Sequence, residues 1–137
     1  MIPDLQSSIL CDDVRQERNG KFMLIGIFEG LGLPKGRQVA PRMCLVNRWC
    51  SGKGTFTQKT RIVAPDGATV VVESQPIQVN LRDETQTATS VEIFVNVPFK
   101  QEGIHWVEIM LDQTMEIRYP LHVKFVDPPP QQQPPQP

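Results

Sequence analysis

The fold is decided by the stretch from Ile9 to Phe28, which reads ILCDDVRQERNGKFMLIGIF. Its two apolar segments are joined across Asn19-Gly20, a dipeptide typical of the tight turn in a β-hairpin. A charged run from Asp12 to Arg18 separates the first apolar residues from that turn. The second segment, Phe22 to Phe28, is almost wholly apolar, which predicts a strand covered on both faces. Gly26 within it indicates a bulge or a close approach of the backbone.

The rest of the chain continues in short apolar stretches, and none of them holds the periodicity of an amphipathic helix. About eight strands with turn residues between them predict an all-β, single-domain β-sandwich of about 7–9 mostly antiparallel strands. The predicted strands are Leu5–Val14, Phe22–Phe28, Arg42–Cys50, Thr55–Val63, Ala68–Glu73, Ile77–Leu81, Ser90–Phe99, Ile104–Leu111 and a last one through Ile117 and Phe125.

Three local features carry specific expectations. Glu29–Ala40 contains four glycine or proline residues and is predicted to be an exposed loop. Pro120 cannot donate a ladder hydrogen bond, so its strand is expected to be an edge or to carry a bulge there. In Ser90–Phe99, one face is predicted to hold Val91, Ile93, Val95, Val97 and Phe99, and the other Glu92 and Asn96.

The domain boundaries follow from where this alternation begins and ends. Residues 1–4 are a lead-in, residues 5–126 form the sandwich, and residues 127–137 form a tail. After Asp127 the tail contains only proline and glutamine, a composition that predicts an extended, disordered segment of polyproline type. We expect this tail to serve as a tether or a ligand.

Composition narrows the classes of function. The chain has 137 residues and a net charge of −1, which gives no general reason to favour nucleic acid or membrane. No apolar run is long enough to span a bilayer, and the N-terminus lacks the pattern of a secretory signal, so we expect a cytoplasmic protein. The three cysteines are interpreted mainly as small buried apolar residues, with Cys11 able to meet Cys44 or Cys50 only through tertiary packing.

The hairpin stretch resembles an uncharacterised family of small bacterial β-sandwich proteins. The likeness is carried by Leu10–Arg15, Glu17, Gly20-Lys21 and Leu24–Phe28, and downstream by Pro65-Asp66-Gly67 and Gly103-Ile104-His105. The resemblance covers most of residues 5–126 and implies an immunoglobulin-like or C2-like sandwich. It implies no known chemistry.

Asp12 and Asp13 are the first candidate site residues. Adjacent strand residues point to opposite faces, so these two carboxylates are not expected to act together as an acid and a base. One interpretation is a cation or partner site at a sheet rim. The other, which we favour, is that a carboxylate is held by an arginine or by backbone N–H groups and fixes the register of the hairpin. His105 alternates with apolar residues and is expected to be packed and hydrogen-bonded.

Basic residues are concentrated between Glu29 and Asp66, where no acidic residue occurs. A basic face across the two strands of this region is therefore predicted, centred on Arg42, Arg48, Lys59 and Arg61. Such a face fits an acidic protein or a neighbouring subunit, unless acidic strands pair with it. Nucleic acid is disfavoured because stacking aromatic residues are not interleaved with these charges, except for Trp49.

The sequence therefore predicts a non-enzymatic protein-interaction or self-assembly module that needs no cofactor and no metal. Motifs of common enzymes are absent from the sequence. The candidate interaction surface comprises Asp12, Asp13, Arg15, Arg42, Arg48, Lys59 and Arg61. The alternative is a small-molecule or cation-binding domain, with or without an enzymatic activity, that has its site near Asp12, Asp13 and His105.

Overall fold

The computed structural model describes residues 1–128, which form ten β-strands and no helix. Most of the predicted tail, residues 129–137, lies outside the described residues. The strands are β1 (Asp4–Gln16), β2 (Phe22–Ile27), β3 (Gly30–Pro34), β4 (Val39–Cys50), β5 (Gly54–Val63), β6 (Val70–Glu73), β7 (Ile77–Leu81), β8 (Ala88–Pro98), β9 (Gly103–Leu111) and β10 (Thr114–Val126). None of the described residues forms a helix that could cross a membrane.

The strands form two sheets, and all pairs but one are antiparallel. The four-stranded sheet has the order β2-β1-β4-β8, and the six-stranded sheet has the order β3-β10-β9-β5-β6, with β7 also paired to β5. The exception is the parallel pair of β3 and β10. β6 and β7 share one edge of β5, because β7 pairs with its residues 54–58 and β6 with its residues 61–63.

The core lies between the two sheets, as the all-β sandwich prediction requires. The four-stranded sheet contributes the buried side chains of Leu45 and Trp49, and the six-stranded sheet contributes those of Ile109 and Leu121. In β4, Met43, Leu45 and Trp49 share the inward face, as the alternation of side chains along a strand requires. Burial of such side chains from water is the main favourable contribution to folding.

The region predicted to be a loop, Glu29–Ala40, contains β3, and this correction adds a strand to the expected number. Glycines such as Gly30 and Gly32 usually interrupt a strand, but Gly30 allows the backbone to approach β10 closely. A Cβ atom at Gly30 would lie only 2.9 Å from the carbonyl oxygen of His122. A glycine-rich segment therefore forms a strand here because only a residue without a side chain fits beside its neighbour.

In β8, the predicted inward face is wrong over its first half. Ile93 and Val95 are 53% and 63% exposed, whereas Glu92 and Phe94 are buried. Beyond Asn96 the buried positions become Val97 and Phe99, as predicted. Asn96 has a φ of 53°, in the left-handed region that asparagine tolerates better than most residues. The alternation changes phase at this residue, and the sequence alone did not indicate the change.

Pro120 lies in an interior strand, but at a point where that strand has an open edge. The amide of His122 donates to the carbonyl of Glu29 at 3.1 Å, so alternate residues of β10 direct their amides towards β3. The paired part of β3 begins opposite His122 and does not reach Pro120. The missing N–H of Pro120 would therefore point to an unpaired edge, which is where proline is tolerated.

Candidate functional site

The distal part of the β1–β2 hairpin, residues 12–27, forms a projecting segment that we call the hairpin arm. β1 pairs with β4 through residues 4–11 and with β2 through residues 11–16. The predicted turn at Asn19-Gly20 is confirmed. It is closed by hydrogen bonds from the Glu17 amide to Lys21 and from the Gly20 amide to Glu17. From Asp12 onward β1 is therefore paired along only one edge, and its backbone ladder with β4 has ended.

The hairpin arm folds back over the outer face of the four-stranded sheet. That face carries a small buried cluster of Cys11, Cys44 and Val46, and Val14 and Leu24 of the arm pack against it. An arm that continued straight along β1 would carry these two side chains away from the cluster. Leu24 instead packs against the cluster that contains Cys11, which precedes the arm in the chain. The arm therefore forms a partial third layer on the outer face of the four-stranded sheet.

The bend of the arm requires glycine at position 26. Gly26 has a φ of +71° and lies opposite Asp12, and an added Cβ atom would overlap the Oδ2 atom of Asp12. Both the left-handed backbone and the close approach favour a residue without a side chain. The close approach expected at Gly26 is therefore confirmed, and it is made to the carboxylate of Asp12.

A cleft of about 600 Å³ lies between the hairpin arm and the sheet beneath it. Lys21 and Arg48 are its charged residues, and Val46 and Leu24 provide apolar surface. No carboxylate is among the residues that line it, which are Ser7, Ile9, Gly20, Lys21, Phe22, Leu24, Val46, Arg48 and Thr89. This cleft is a candidate site on the four-stranded sheet. The sequence did not indicate it, because the fold brings the tip of the hairpin back towards residues at its start.

Asp13 lies at the base of the arm and holds two arginines. Its Oδ1 atom accepts a hydrogen bond from the Val14 amide at 2.9 Å and another from the Arg42 guanidinium at 3.1 Å, and its Oδ2 atom lies 3.3 Å from Nε of Arg15. This matches the favoured interpretation of a carboxylate held by arginine and backbone, although Asp13 lies near the surface. Partly exposed ion pairs of this kind contribute about 0–1 kcal/mol each. Asp12 is exposed.

The predicted basic face is divided between the two sheets. Arg42 and Arg48 lie on β4 in the four-stranded sheet, whereas Lys59 and Arg61 lie on β5 in the six-stranded sheet. A single basic face would require β4 and β5 to be neighbours, but the chain crosses from one sheet to the other between them.

The two basic residues on β5 are paired with carboxylates. The Nζ atom of Lys59 lies 2.9 Å from Oε1 of Glu73, and the Nε atom of Arg61 lies 2.5 Å from Oε1 of Glu108. The sequence analysis considered the alternative that acidic strands pair with the basic region. This alternative applies to the half of the predicted basic face that lies on β5.

The interior of the sandwich contains a hydrogen-bonded polar network. Trp49 donates its indole N–H to Gln58 at 2.7 Å, and Gln58 donates its amide to Glu92 at 2.6 Å. Thr60 donates to the same Glu92 oxygen at 2.8 Å, and Ser90 donates to Gln58 at 2.9 Å. The network links the two sheets across the core, because β4 and β8 belong to one sheet and β5 to the other. A buried indole N–H usually finds such a partner.

Burial raises the pKa of Glu92 above its ordinary value, although hydrogen bonds from Thr60, Ser74 and Gln58 oppose the shift. Burial likewise raises the pKa of Tyr119 to about 12, against the effect of its hydrogen bond to Ser8. The Oε2 atom of Glu92 has no hydrogen-bond partner among residues 1–128. The arrangement is that of a structural network closed to solvent.

His105 is buried on the six-stranded sheet, in the packed state that was predicted. Its ring lies edge-on to Phe99, with the ring centroids 5.1 Å apart, and Nδ1 lies 3.2 Å from the carbonyl oxygen of Gly103. Because a carbonyl can only accept, Nδ1 carries the proton in the neutral ring. Burial lowers the pKa of His105, although the contact with Gly103 opposes this.

The residues of the alternative site are therefore not brought together. Asp12 and Asp13 belong to the four-stranded sheet, and His105 packs within the other. Among the described residues, no group of three or more histidine, cysteine, aspartate or glutamate side chains could hold a metal ion.

The sequence profile of DUF6941, a family of unknown function, matches residues 6–124. The chain belongs to this family. The match extends from the start of β1 almost to the end of β10, so it includes the hairpin arm and both sheets. A comparison with curated proteins finds no match.

Proposed function

We propose that this DUF6941 member is a non-enzymatic protein-binding module that self-assembles by pairing β2 with β2 of a second copy. The observation that carries the proposal is the exposed apolar edge of the hairpin arm. β2 is the outermost strand of the four-stranded sheet, and its sequence FMLIGI contains no charged residue.

The exposure of β2 contradicts the expectation from its composition. An almost wholly apolar strand was predicted to be covered on both faces, but Phe22, Met23, Ile25 and Ile27 are between 39% and 62% exposed. An apolar edge strand of this kind presents unpaired backbone groups and is a template for pairing with another chain. Natural edges are commonly protected by charged side chains or proline, and β2 has neither.

The charges that flank β2 favour a second copy as the partner. Lys21 precedes the strand and Glu29 follows it, and both are exposed. Neither forms an ion pair within residues 1–128. In an antiparallel pair related by a two-fold axis, Lys21 of each copy would approach Glu29 of the other. Opposite charges at both ends would favour this pairing, since isologous interfaces are self-complementary.

Sedimentation velocity over a range of protein concentrations tests the proposal. We expect the wild-type chain to form a dimer as concentration rises and Ile27→Lys to remain monomeric, because lysine on an edge strand opposes pairing. Ile93→Lys is the matched control, since Ile93 is a similarly exposed isoleucine on β8, the other edge strand of the same sheet. We expect this variant to dimerise as the wild type does.

The flanking charges provide an independent check. Lys21→Glu should weaken the dimer, and Lys21→Glu combined with Glu29→Lys should restore it, because the paired charges are exchanged. A wild-type chain that stays monomeric would contradict self-assembly. Equal loss of the dimer in both isoleucine variants would show that association does not occur through β2.

The cytoplasmic location remains a prediction.

A further inference from the structure

We propose that Cys11 and Cys44 are a redox site that forms an intramolecular disulfide by exchange with a soluble, low-molecular-weight disulfide. The two residues lie directly opposite each other in the antiparallel ladder of β1 and β4. Directly opposed residues in such a ladder have Cα atoms about 4.5–5.5 Å apart, within the range of about 4.4–6.8 Å that a disulfide accepts. Both are free thiols in the structure.

The position of the pair distinguishes it from cysteines that only fill a core. Both thiols have no exposed surface, but they lie on the outer face of the four-stranded sheet and not between the sheets. Part of the cover of this cluster comes from the hairpin arm, through Val14 and Leu24, and Val91 of β8 also packs against it. Because the arm is paired along one edge only, opening it would expose the thiols without disrupting the core between the sheets.

A positive charge lies beside the pair. Arg42 lies two residues before Cys44 on β4, so the two side chains share one face of the sheet. Asp13 holds the guanidinium in place through the 3.1 Å hydrogen bond. Thiol–disulfide exchange requires a thiolate as the attacking group. We therefore assign Cys44, the thiol next to Arg42, as the residue that attacks first, and Cys11 as the residue that resolves the intermediate.

The third cysteine has a different environment. Cys50 lies six residues beyond Cys44 on β4, at a distance of about 20 Å along an extended strand, and it pairs with Asp4 in the ladder. It cannot reach either residue of the pair without a large rearrangement. Cys50 is also partly exposed, so it serves as an internal reference for a thiol that reacts without opening of the arm.

The exchange balances in two steps. The Cys44 thiolate attacks one sulfur of oxidised glutathione, which forms a mixed disulfide and releases one glutathione thiolate. The Cys11 thiolate then attacks the Cys44 sulfur of the mixed disulfide and releases the second glutathione thiolate. The protein loses two electrons and two protons, and the two released thiolates take up the protons, so that one glutathione disulfide is reduced to two thiols.

The test uses the full chain with Cys50→Ser, so that only the two proposed thiols remain. The protein is incubated with oxidised glutathione, and free thiols are then trapped with N-ethylmaleimide in denaturant and counted by intact mass. We expect two maleimide adducts before oxidation. After oxidation, we expect no maleimide adduct and a mass two hydrogens below that of the reduced, unlabelled chain. Peptide mapping of the wild-type chain should identify the linkage of Cys11 to Cys44 without any substitution.

Access through the arm is tested by the rate of oxidation. Leu24→Ala should accelerate disulfide formation about fivefold, as expected if the closed arm loses about 1 kcal/mol of packing. Val70→Ala, which removes an exposed valine on the six-stranded sheet, should leave the rate unchanged.

Two results would overturn the proposal. One is a Cys50→Ser protein that keeps both thiols, or that carries only glutathione adducts, after prolonged exposure. The other is oxidation at the rate of global unfolding, measured in parallel with urea, because the pair would then react only in the unfolded chain.

Discussion

At the scale of single residues, the shape of the four-stranded sheet depends on positions with positive φ. Gly26 lies at the bend of the hairpin arm, and Asn96 lies where β8 changes its inward face. At Gly26 the left-handed backbone coincides with close contact to Asp12, whereas Gly20 has positive φ and no atom within 4 Å of the point that a Cβ atom would occupy. The two glycines therefore separate the effect of backbone conformation from that of crowding.

Gly26→Ala should destabilise the protein more than Gly20→Ala. Both variants place a side chain in the left-handed region at a cost of about 1–2 kcal/mol, and only Gly26→Ala also displaces the carboxylate of Asp12. The free energy of unfolding, measured with urea, provides the comparison. In an Asp12→Ala background the extra cost at position 26 should decrease. Equal costs for the two glycines in the wild-type background would contradict the tight contact.

Glu92 should make stability depend on pH. Burial raises its pKa in the folded protein, so the folded state holds this proton more tightly than the unfolded state does. Below the unfolded pKa both states are protonated and no penalty arises. As pH rises above that value, the unfolded state ionises first and folding stability falls, until the folded pKa is passed.

Glu92→Gln removes this ionisation but retains an oxygen for Gln58 and Thr60. We therefore expect its stability relative to wild type to increase between pH 4 and pH 7.5, measured by urea unfolding at each pH. Glu84→Gln, at an exposed position in a turn, should show the same difference at both pH values. A difference for Glu92→Gln that is independent of pH would contradict burial of an ionisable carboxyl at this position.

At the scale of elements, the hairpin arm should open more readily than the strands at the centre of its sheet. Over residues 12–16, β1 pairs only with β2, whereas β4 is paired on both edges by β1 and β8. Segments with few buried contacts and an exposed edge open at low free energy. In hydrogen-exchange mass spectrometry, amides of residues 17–27 should exchange well before those of residues 43–49. Equal protection of the two segments would show that the arm does not open independently.

At the scale of the whole molecule, the main core lies between the two sheets, so exposed side chains on the outer faces contribute less to stability. Phe94 is buried in that core, and its neighbour Val95 is 63% exposed. Phe94→Ala should cost about 3–5 kcal/mol of unfolding free energy, and Val95→Ala should change it by less than about 0.5 kcal/mol. Chemical denaturation of both variants tests the inward face of β8. A larger effect at Val95 would restore the face predicted from alternation.

Local patterns determined much of this protein before any long-range contact was considered. Asn19-Gly20 specifies the hairpin because its residues suit a tight turn, and the alternation of β4 places Met43 and Leu45 inward because strand residues alternate between faces. The likeness of the hairpin stretch and the downstream turns pointed to a family without an assigned activity, as the match to residues 6–124 shows.

Only the tertiary structure decided the sheet topology and the surroundings of the candidate sites, because both depend on which strands become neighbours. The pairing of β3 with β10 joins residues about 90 positions apart, and no local pattern encodes that parallel contact. The separation of β4 from β5 divides the basic residues, and the inward position of Glu92 depends on donors from the facing sheet. The register that sets Cys11 opposite Cys44 and the bend that covers them likewise arise from contacts between segments that the sequence keeps apart.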